Sequence, residues 1–476
     1  MLPFEQKAKD YYGEIVINKG LFHQAGYGGR AIPAYVGEWI LSYYMQDQEE
    51  LTGEVRNNIA NFIAKYLPSK GQKEEWKNRL LNQEPVNLLD HYTVSVNLKT
   101  GQRHLNIPFF DIKDAYVTEH IVEENELLLT SGVWGVGELF YVPPNIDKGK
   151  GQVWMRDFKP FQIAKVDLDY FIECRKYFST GQWIDLLVSS MGFSPTANNE
   201  QQKMLLLTRM LPLIEPRVNL VELAPKGTGK SFVFDHLSRY ARVIGGGKVT
   251  PAVLFHNNST HEPGLVTRYD TVVLDEVQSV KGDSAGELIA MLKVYLESGK
   301  FSRGKTEASA ESGFVMLANI TLDENLLPIH LDRGIFREFP NFLQETAFID
   351  RLHGIIPGWY LPRVTQDTPS VYLGFKGDVF AEVLHDLRRD LRYRDYVNVN
   401  MNLIGCDDLR DKKAITRTAT AYFKLLFPDL NVTKDEFMKY CIKPAIELRQ
   451  RIRDELWKVD KEYKKVDIRI KKVLNN

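Results

Sequence analysis

A glycine-rich segment, LAPKGTGKSFVF at 223–234, has the residue types and spacing of a phosphate-binding loop. The Walker A pattern is G-x-x-x-x-G-K-[ST], and Ala224 stands in place of its first glycine. That glycine serves only a tight turn, so the change is tolerable, whereas the second lets backbone N–H groups face an anion. We predict an ATP and Mg²⁺ site whose nucleotide contacts are Pro225, Lys226, Gly227, Thr228, Gly229, Lys230, Ser231 and Phe232.

An acidic pair follows Lys230 at the end of the apolar run TVVLDE. Asp275 is predicted to hold Mg²⁺ together with Ser231, and Glu276 to polarise the attacking water. The run SGFVMLAN ends on Asn319, whose amide could orient the same water. A solvent-facing acidic strand end would not explain this order of motifs. The set therefore predicts nucleotide hydrolysis.

Downstream arginines are candidates for stabilising the transferred phosphate. Arg351 in AFIDRLHGIIPG is predicted to act on a neighbouring subunit's nucleotide as an arginine finger, with Arg333 and Arg337 as rivals. Arg410 opens a late helix and could contact phosphate from a lid, with Arg417 as its rival. A surface salt bridge is the alternative reading of each of the three finger candidates.

Strands that alternate with helices must position these residues. Five short apolar runs between about 218 and 358 alternate with helical stretches, which predicts a parallel sheet sandwiched by helices, an α/β fold. The expected organisation is a mixed α/β domain at 1–165, a helical linker at 166–215, an ATPase core at 216–365, a helical lid at 366–445 and a C-terminal helix at 446–476.

The N-terminal region has its own patterns. A helix is predicted over Ala34–Met45, and alternating apolar residues around Thr100 and Gly101 predict a hairpin. SGVWGVGELFYVPP and GQVWMRDF predict two more strands. A small sheet or barrel of this kind often binds nucleic acid. A scaffolding role in assembly is an equal alternative.

The bulk composition excludes several classes of protein. A net charge of −1 over 476 residues gives no global attraction to nucleic acid or membrane, so such contacts must come from local patches. The chain has neither a leader-like start nor an apolar run long enough to span a bilayer. Cys174, Cys406 and Cys441 lack C-x-x-C spacing, which argues against zinc and disulfides. We expect a soluble, cytoplasmic, multidomain protein without a membrane partner.

These motifs together resemble the AAA+ ATPases. The chain is more closely similar to the BrxL family, the Lon-like AAA+ proteins of BREX phage-defence systems, in segments such as KAKDYYGEIVINKG, FSTGQWIDLLVSSMGFSP, ELAPKGTGKSF, KFSRGKTEASAESGFVMLAN and FIDRLHGIIPGW. The resemblance implies a ring-forming motor similar to MCM helicases, a hexamer or double hexamer, that acts on DNA with other BREX components. Some relatives continue into a Lon-type protease-like domain, and serine–lysine proteolysis is not expected from this chain.

The segment ESGKFSRGKTEASAES at 297–312 resembles the DNA-touching hairpin of MCM-type motors. Its basic residues Lys300, Arg303 and Lys305 could follow DNA phosphates, with duplex DNA as the expected partner, and Phe301 could brace the loop or touch the substrate. An exposed basic loop without a partner is the alternative. A second loop, FHNNSTHEPG at 255–264, offers Asn257, Asn258, Ser259 and Thr260, although these residue types also favour a capped turn.

Three functions remain open on the sequence. The first is a DNA-translocating or DNA-remodelling ring. The second is a protein unfoldase that hands polypeptide to a separate protease, but such pores usually grip with aromatic and apolar loops, whereas this loop is basic. The third is a switch in which nucleotide binding only controls assembly.

Overall fold

A computed structural model describes residues 2–27, 32–45, 50–98, 100–144, 150–161, 166–259, 262–280 and 285–471. The chain divides into two compact units. The first comprises 17–165 with 376–378, and the second comprises 1–16, 166–375 and 379–476. Phe4, Ala8 and Tyr12, which the sequence predicts to lie in a domain at 1–165, are buried in the hydrophobic core of the second unit.

The first unit contains a closed five-stranded barrel. Its strands in chain order are Val86–Asn97, Gln102–Ile107, Ile112–Val117, Val133–Val142 and Gln152–Pro160, and their spatial order is 1-2-3-5-4. The first two form the predicted hairpin, with Val94 opposite Leu105. The third and fifth strands run parallel, and helix Glu119–Glu124 connects the third strand to the fourth. This is the topology of an OB barrel.

The helices of the first unit pack in two hydrophobic cores, the barrel interior and a separate one. They are Lys19–Gln24, Ala34–Met45, Gly53–Tyr66, Lys73–Leu81 and Glu119–Glu124. The predicted helix Ala34–Met45 is confirmed, and it packs with Leu89 and Phe161 in a core separate from the barrel interior. The fourth barrel strand pairs with the first and closes the barrel. Side chains alternate along the strands, so that inward residues such as Leu105 and Val117 are buried.

A five-stranded parallel sheet forms the centre of the second unit, as the sequence predicts. We name its strands by their roles: the P-loop strand (Asn219–Ala224), the Walker B strand (Thr271–Asp275), the Asn319 strand (Gly313–Asn319), and the edge strands Ala241–Gly245 and Gly354–Pro357. In chain order the spatial arrangement is 5-1-4-3-2, so the Asn319 strand lies between the P-loop and Walker B strands. Because all strands are parallel, their carboxyl ends meet at one edge.

Helices surround this sheet. They are Pro3–Tyr12, Leu168–Cys174, Thr180–Ser190, Glu200–Thr208, Leu211–Ile214, Phe232–His236, Pro251–Leu254, Leu265–Arg268, Ala285–Ser298, Asn341–Gln344, Thr346–Ile349, Gly377–Leu387, Arg392–Asn400, Leu409–Leu426, Lys434–Phe437 and Lys443–Val459. Short strands complete the elements: Val16–Asn18, His256–Asn257, Glu262–Pro263, Lys300–Arg303, Thr306–Ser309, Leu373–Phe375, Leu403–Ile404 and Arg469–Ile470. None of the helices described is long and apolar enough to cross a membrane.

The linker, core, lid and C-terminal helix are not separate units. They share hydrophobic cores that run from Phe171 through Leu220 to Leu448. Helix Lys443–Val459 packs directly on the edge strand Gly354–Pro357, where a side chain at Gly354 would come within 2.5 Å of Leu448. The expected boundary at 446 therefore falls inside a helix that packs on the sheet.

The sequence after the phosphate loop predicts a helix over Ser231–Tyr240, but the helix in the structure spans only Phe232–His236. The Ser238 hydroxyl accepts a hydrogen bond from the Tyr240 amide at 3.1 Å, which forms a turn immediately before strand Ala241–Gly245. Local capping therefore ends the helix early.

Candidate nucleotide site

The phosphate loop is held with its carbonyl groups turned toward the protein. Carbonyl oxygens accept hydrogen bonds from outside the loop at Ala224, Gly227, Thr228 and Gly229. Gly227 and Gly229 have φ of +82° and +67°, a backbone conformation that favours glycine. In the described chain, no hydrogen bond is made by the backbone N–H groups of 226–231. The loop thus presents a row of free donors that suits phosphate oxygens.

Lys230 is aimed across the sheet edge. Its Nζ donates to Asn319 Oδ1 at 2.8 Å and to the Pro225 carbonyl at 3.1 Å. Burial lowers the pKa of Lys230, and the nearby charges of Glu222 and Asp275 oppose that shift. Sequence reasoning placed Lys230 and Asn319 in one site, and the structure brings them into contact.

Ala224 fits the loop because of a glycine on the neighbouring strand end. Ala224 is fully buried, and a side chain at Gly358 would come within 2.4 Å of its Cβ atom. The missing first glycine of the motif is therefore compensated by Gly358, which leaves room for the methyl group.

The acidic pair ends the Walker B strand. Asp275 is half-buried, and its Oδ1 accepts the Glu276 amide at 2.9 Å. Glu276 is exposed and adopts φ +51°, a left-handed conformation that is uncommon outside glycine. Backbone strain of this kind concentrates at functional sites.

A further carboxyl group approaches the site. Asp235 lies in the short helix after the loop, and burial together with the charge of Asp275 raises its pKa. Ser231 precedes this helix and is half-buried. Asp275, Ser231 and free loop amides are the hard oxygen and N–H groups that a Mg²⁺–triphosphate requires, so the residues fit that ligand.

Sequence reasoning missed a buried ion pair behind the loop. Arg209 and Glu222 are both 0% exposed, and two nitrogens of the guanidinium donate to the two carboxylate oxygens at 2.7 and 3.0 Å. The same guanidinium donates to the carbonyls of Thr228 and Gly229 at 3.2 and 3.3 Å. Arg209 therefore holds the loop backbone from behind.

The signal for this pair was present in the sequence. Arg209 interrupts the apolar run MLLLTRMLPLI, and Glu222 interrupts the apolar strand VNLVELAP. A single charge inside an apolar element is rarely buried unless it is paired. Two such interruptions of opposite sign, 13 positions apart, indicate a buried partnership.

The predicted arginines lie near the amino-terminal ends of the strands, opposite the ends that carry the phosphate loop. Arg351 precedes strand Gly354–Pro357, and Arg410 lies at the start of helix Leu409–Leu426. Both approach the Glu297 carboxylate, Arg410 at 3.0 Å and Arg351 at 3.6 Å. Arg410 also binds Asp350 at 2.6 Å.

The amino-terminal ends of the strands are remote from the phosphate loop of the same chain. His353 contacts Asn219 at the beginning of the P-loop strand, whereas Ala224 ends that strand at the nucleotide site. At about 3.3 Å per residue, the strand separates the two edges by about 17 Å. The structure therefore does not bring Arg351 or Arg410 to the phosphate loop of their own chain. The rivals Arg333 and Arg337 are exposed, and Arg417 is half-buried.

The basic segment forms a β-hairpin. Lys300–Arg303 pairs with Thr306–Ser309, and the turn contains Gly304 at φ +61°. Lys300 and Lys305 are exposed, whereas Arg303 lies 3.4 Å from Glu287 and donates to the His256 carbonyl. Phe301 is buried in the core below. Phe301 thus anchors the hairpin in the core, and Arg303 already has protein partners in Glu287 and the His256 carbonyl.

The second loop candidate adjoins this hairpin. His256–Asn257 pairs with Glu262–Pro263, and Asn257 accepts the Ser259 amide at 3.0 Å, as in a capped turn. A side chain at Gly304 would come within 2.9 Å of Asn258, so the two turns lie side by side. Thr260 lies outside the described residues.

Comparison with known families agrees with this geometry. Residues 153–469 match the family model described as "Lon-like protease BrxL-like, ATPase domain", and 10–141 match "BREX system Lon protease-like protein BrxL N-terminal". The chain belongs to the BrxL family. It is 30% identical over 448 residues to "Lon-like protease BrxL" of Escherichia coli O9:H4 (strain HS), which covers 93% of this chain and 63% of that protein.

A second BrxL relative gives the same picture. The "Lon-like protease BrxL" of Bacillus cereus (strain H3081.97) is 30% identical over 458 residues, covering 95% of this chain and 66% of the relative. The chain thus spans about two thirds of the length of these BrxL proteins. "Uncharacterized protein ORF426" of Acidianus filamentous virus 1 is 24% identical over 280 residues, or 52% of this chain.

Proposed function

We propose that this BrxL family member is an AAA+ ATPase that hydrolyses ATP with Mg²⁺. The observation that carries the proposal is the convergence of Lys230, Asn319 and the acidic strand end on one row of free loop amides. The strand order, with the Asn319 strand inserted between the P-loop and Walker B strands, supports an AAA+ fold. ATP with Mg²⁺ supplies the phosphoryl chemistry when bound.

The roles of the chain's residues follow from their positions. Loop amides and Lys230 bind the β- and γ-phosphates, and Ser231 and Asp275 orient the metal. Glu276 accepts a proton from the attacking water, and Asn319 orients that water. Lys230 donates to Asn319 Oδ1 in the structure, so nucleotide binding must share or break this contact.

Completion of the site requires a second copy. Arg351 and Arg410 lie at the sheet edge opposite their own loop, which supports action on a neighbouring subunit's nucleotide. A ring, as a hexamer or double hexamer, would place this edge against the next nucleotide site. Arg351 stays the proposed finger, with Arg333 and Arg337 as rivals.

We propose DNA as the substrate on which hydrolysis acts. Lys300 and Lys305 are exposed on the hairpin and have no carboxylate within 4.0 Å among the described residues. Exposed cations on a β-hairpin suit duplex phosphates without base readout. Arg303, by contrast, is engaged with Glu287 and the His256 carbonyl, so its role is bracing.

The barrel of the first unit supports the same substrate. Tyr116, Trp154 and Phe140 lie side by side on its outer face, with ring centroids of Trp154 at 4.2 and 6.0 Å from the other two. The guanidinium of Arg156 lies 4.8 Å from the Phe140 ring. Aromatic rings beside a cation are typical of surfaces that stack nucleic acid bases. The family name further supports a role in BREX defence together with other BREX components.

The test is ATP turnover of the full chain with duplex DNA, single-stranded DNA or an unfolded protein. We expect basal turnover that requires Lys230, and stimulation by duplex DNA. Lys300→Ala with Lys305→Ala should weaken DNA binding. The slope of the logarithm of the binding constant against the logarithm of the salt concentration should fall in magnitude by about 0.7 to 0.9 per lost phosphate contact. The matched control Lys461→Ala with Lys464→Ala, two exposed lysines outside the hairpin, should leave both unchanged.

The other outcomes separate the alternatives. Stimulation by unfolded protein but not DNA would support an unfoldase. Nucleotide binding without turnover under every condition would support an assembly switch. An unchanged salt dependence of DNA binding in the hairpin variant would show that the hairpin does not contact DNA phosphates.

A further inference from the structure

An open cavity of about 280 Å³ lies at the start of helix Leu409–Leu426 and is lined by four cations and no acid. The cations are Arg394, Lys412, Lys413 and Arg417, and Asn398, Leu409 and Thr416 complete the wall. Arg217 adjoins them, because its carbonyl accepts a hydrogen bond from Arg417 at 3.2 Å. We call Arg217, Lys412, Lys413 and Arg417 the lid-base cluster.

The lid-base cluster has no carboxylate partner. Arg217 and Lys413 both donate to the backbone carbonyl of Glu297, at 2.9 and 3.0 Å, and Arg417 donates to a backbone carbonyl as well. Throughout the described ranges, no carboxylate oxygen lies within 4.0 Å of a cluster nitrogen. Four neighbouring cations are thus left without a directly contacting carboxylate.

The carboxylates of Glu215 and Glu297, near the cluster, form ion pairs with other cations. Glu215, buried below the cavity, pairs with Arg394 at 2.7 Å and with Lys424 at 2.9 Å. The Glu297 carboxylate faces Arg410 and Arg351 instead. The charges of Glu215 and Glu297 oppose the lowering of the cluster's pKa values, but in the described ranges neither carboxylate lies within 4.0 Å of a cluster nitrogen.

The cations act on one another. Burial first and Arg217 second lower the pKa of Arg417 to about 10. Burial, Arg417 and Arg217 lower the pKa of Lys413. Because each charge opposes its neighbours, the cluster costs free energy unless an anion is bound.

A buried histidine points to the same need. His353 Nδ1 accepts the Asn219 amide at 2.8 Å, and burial with the nearby cations holds the pKa of His353 well below its usual value. The neutral ring therefore carries its hydrogen on Nε2, which lies 3.3 Å from Arg417 Nη1. Two donors face each other without an acceptor between them.

We propose that the lid-base cavity is a binding site for the phosphates of a polyphosphate anion. Guanidinium forks, ammonium groups and the Thr416 hydroxyl are the donors that phosphate oxygens accept, and the start of an 18-residue helix adds a favourable dipole. The volume suits a compact di- or triphosphate better than a duplex. The phosphates come either from a nucleotide carried by a second copy, a source that rests on the proposed function, or from free nucleotide or pyrophosphate.

The experiment uses the full chain with Lys230→Ala, which removes the main cation of the P-loop. Pyrophosphate is titrated at constant ionic strength, and binding is read from calorimetry and thermal unfolding. We expect saturable binding and a raised Tm. Lys412→Gln with Lys413→Gln and Arg417→Gln should weaken pyrophosphate binding at least tenfold, while Lys461→Gln with Lys464→Gln should not.

A second readout separates a ligand site from a structural role. Without pyrophosphate, the triple variant should be at least as stable as its parent, because its substitutions relieve repulsion. A large loss of Tm would mean that the cations support the fold, and it would overturn the proposal. Equal pyrophosphate binding in parent and triple variant, or none in the parent, would overturn it as well.

The source of the phosphates is decided with Lys230 intact. If a second copy's nucleotide fills the cavity, the triple variant should lose ATP-dependent assembly, measured by sedimentation. If the anion is free, assembly should be unchanged while pyrophosphate binding is lost. Absence of ATP turnover in the unmodified protein would reject the proposed function, but it would leave the pyrophosphate result intact.

Discussion

The ammonium group of Lys230 lies 2.8 Å from the amide oxygen of Asn319, 89 positions away in the chain. The contact crosses from the end of the P-loop strand to the end of its neighbour, where Asn319 is level with Ala224. It ties the phosphate-binding cation to the group proposed to orient the attacking water. In the proposed mechanism, this one hydrogen bond couples nucleotide binding to the positioning of the attacking water.

Asn319→Ala should preserve ATP binding within a fewfold but lower turnover by about 10²-fold or more, because one oriented polar group at the reacting centre is lost. Asn319→Asp should instead weaken ATP binding, since a carboxylate beside Lys230 competes with phosphate for the ammonium group. Nucleotide titration and single-turnover kinetics measure both effects. Unchanged turnover in Asn319→Ala would exclude Asn319 from the reaction.

Glu276→Gln should bind ATP normally and hydrolyse it at least about 10²-fold more slowly, because the proton acceptor is lost while Asp275 remains. We expect an ATP-bound assembly that persists, visible by sedimentation. Gln278→Ala, two positions along, serves as the control for local disturbance. Wild-type turnover in Glu276→Gln would mean that another group accepts the proton.

Arg209→Met should strongly destabilise the protein, by about 3–5 kcal/mol, because Glu222 would be left buried without a partner. Replacing both residues, Arg209→Met with Glu222→Met, should recover most of that stability. The KM for ATP should nevertheless stay raised, since the carbonyls of Thr228 and Gly229 lose their donor. A normal KM in a stable double variant would show that the pair supports only the fold.

Arg351→Ala should keep ATP binding and lose hydrolysis, because we propose that its guanidinium acts on a neighbouring subunit's nucleotide. Mixing it with Lys230→Ala subunits should restore partial turnover, since some interfaces then join an intact loop to an intact arginine. With co-assembly verified, a complete lack of recovery at every ratio would transfer the role to Arg333 or Arg337.

Asp90 should make the stability of the barrel unit depend on pH. Burial raises its pKa to about 6, although the amides of His91 and Phe109 donate to it. Because the folded state binds this proton more tightly, stability should fall as pH rises from about 4 to about 6 and then level off, by at most about 3 kcal/mol. Thermal unfolding against pH should show this decline in the unmodified chain and in Asp114→Asn, an exposed control, but not in Asp90→Asn.

Much of the site could be predicted because it is local. The loop, its lysine and the acidic strand end are short motifs, and the alternation of apolar runs with helices is enough to predict five parallel strands. Strand parallelism then requires Asp275 and Asn319 to share an edge with the loop. The hairpin around Gly101 and the helix Ala34–Met45 follow equally from periodicity.

Tertiary structure decided what depends on distant partners. Ala224 fits because Gly358, distant in the chain, lies beside it and leaves room for its methyl group. Burial decides how strongly charged side chains interact, because water and salt screen charges on a surface. The tertiary structure therefore determines the interaction of Arg209 with Glu222 and the lowered pKa of Arg417. Motif spacing determines which groups a strand end carries, whereas packing determines which charges are paired.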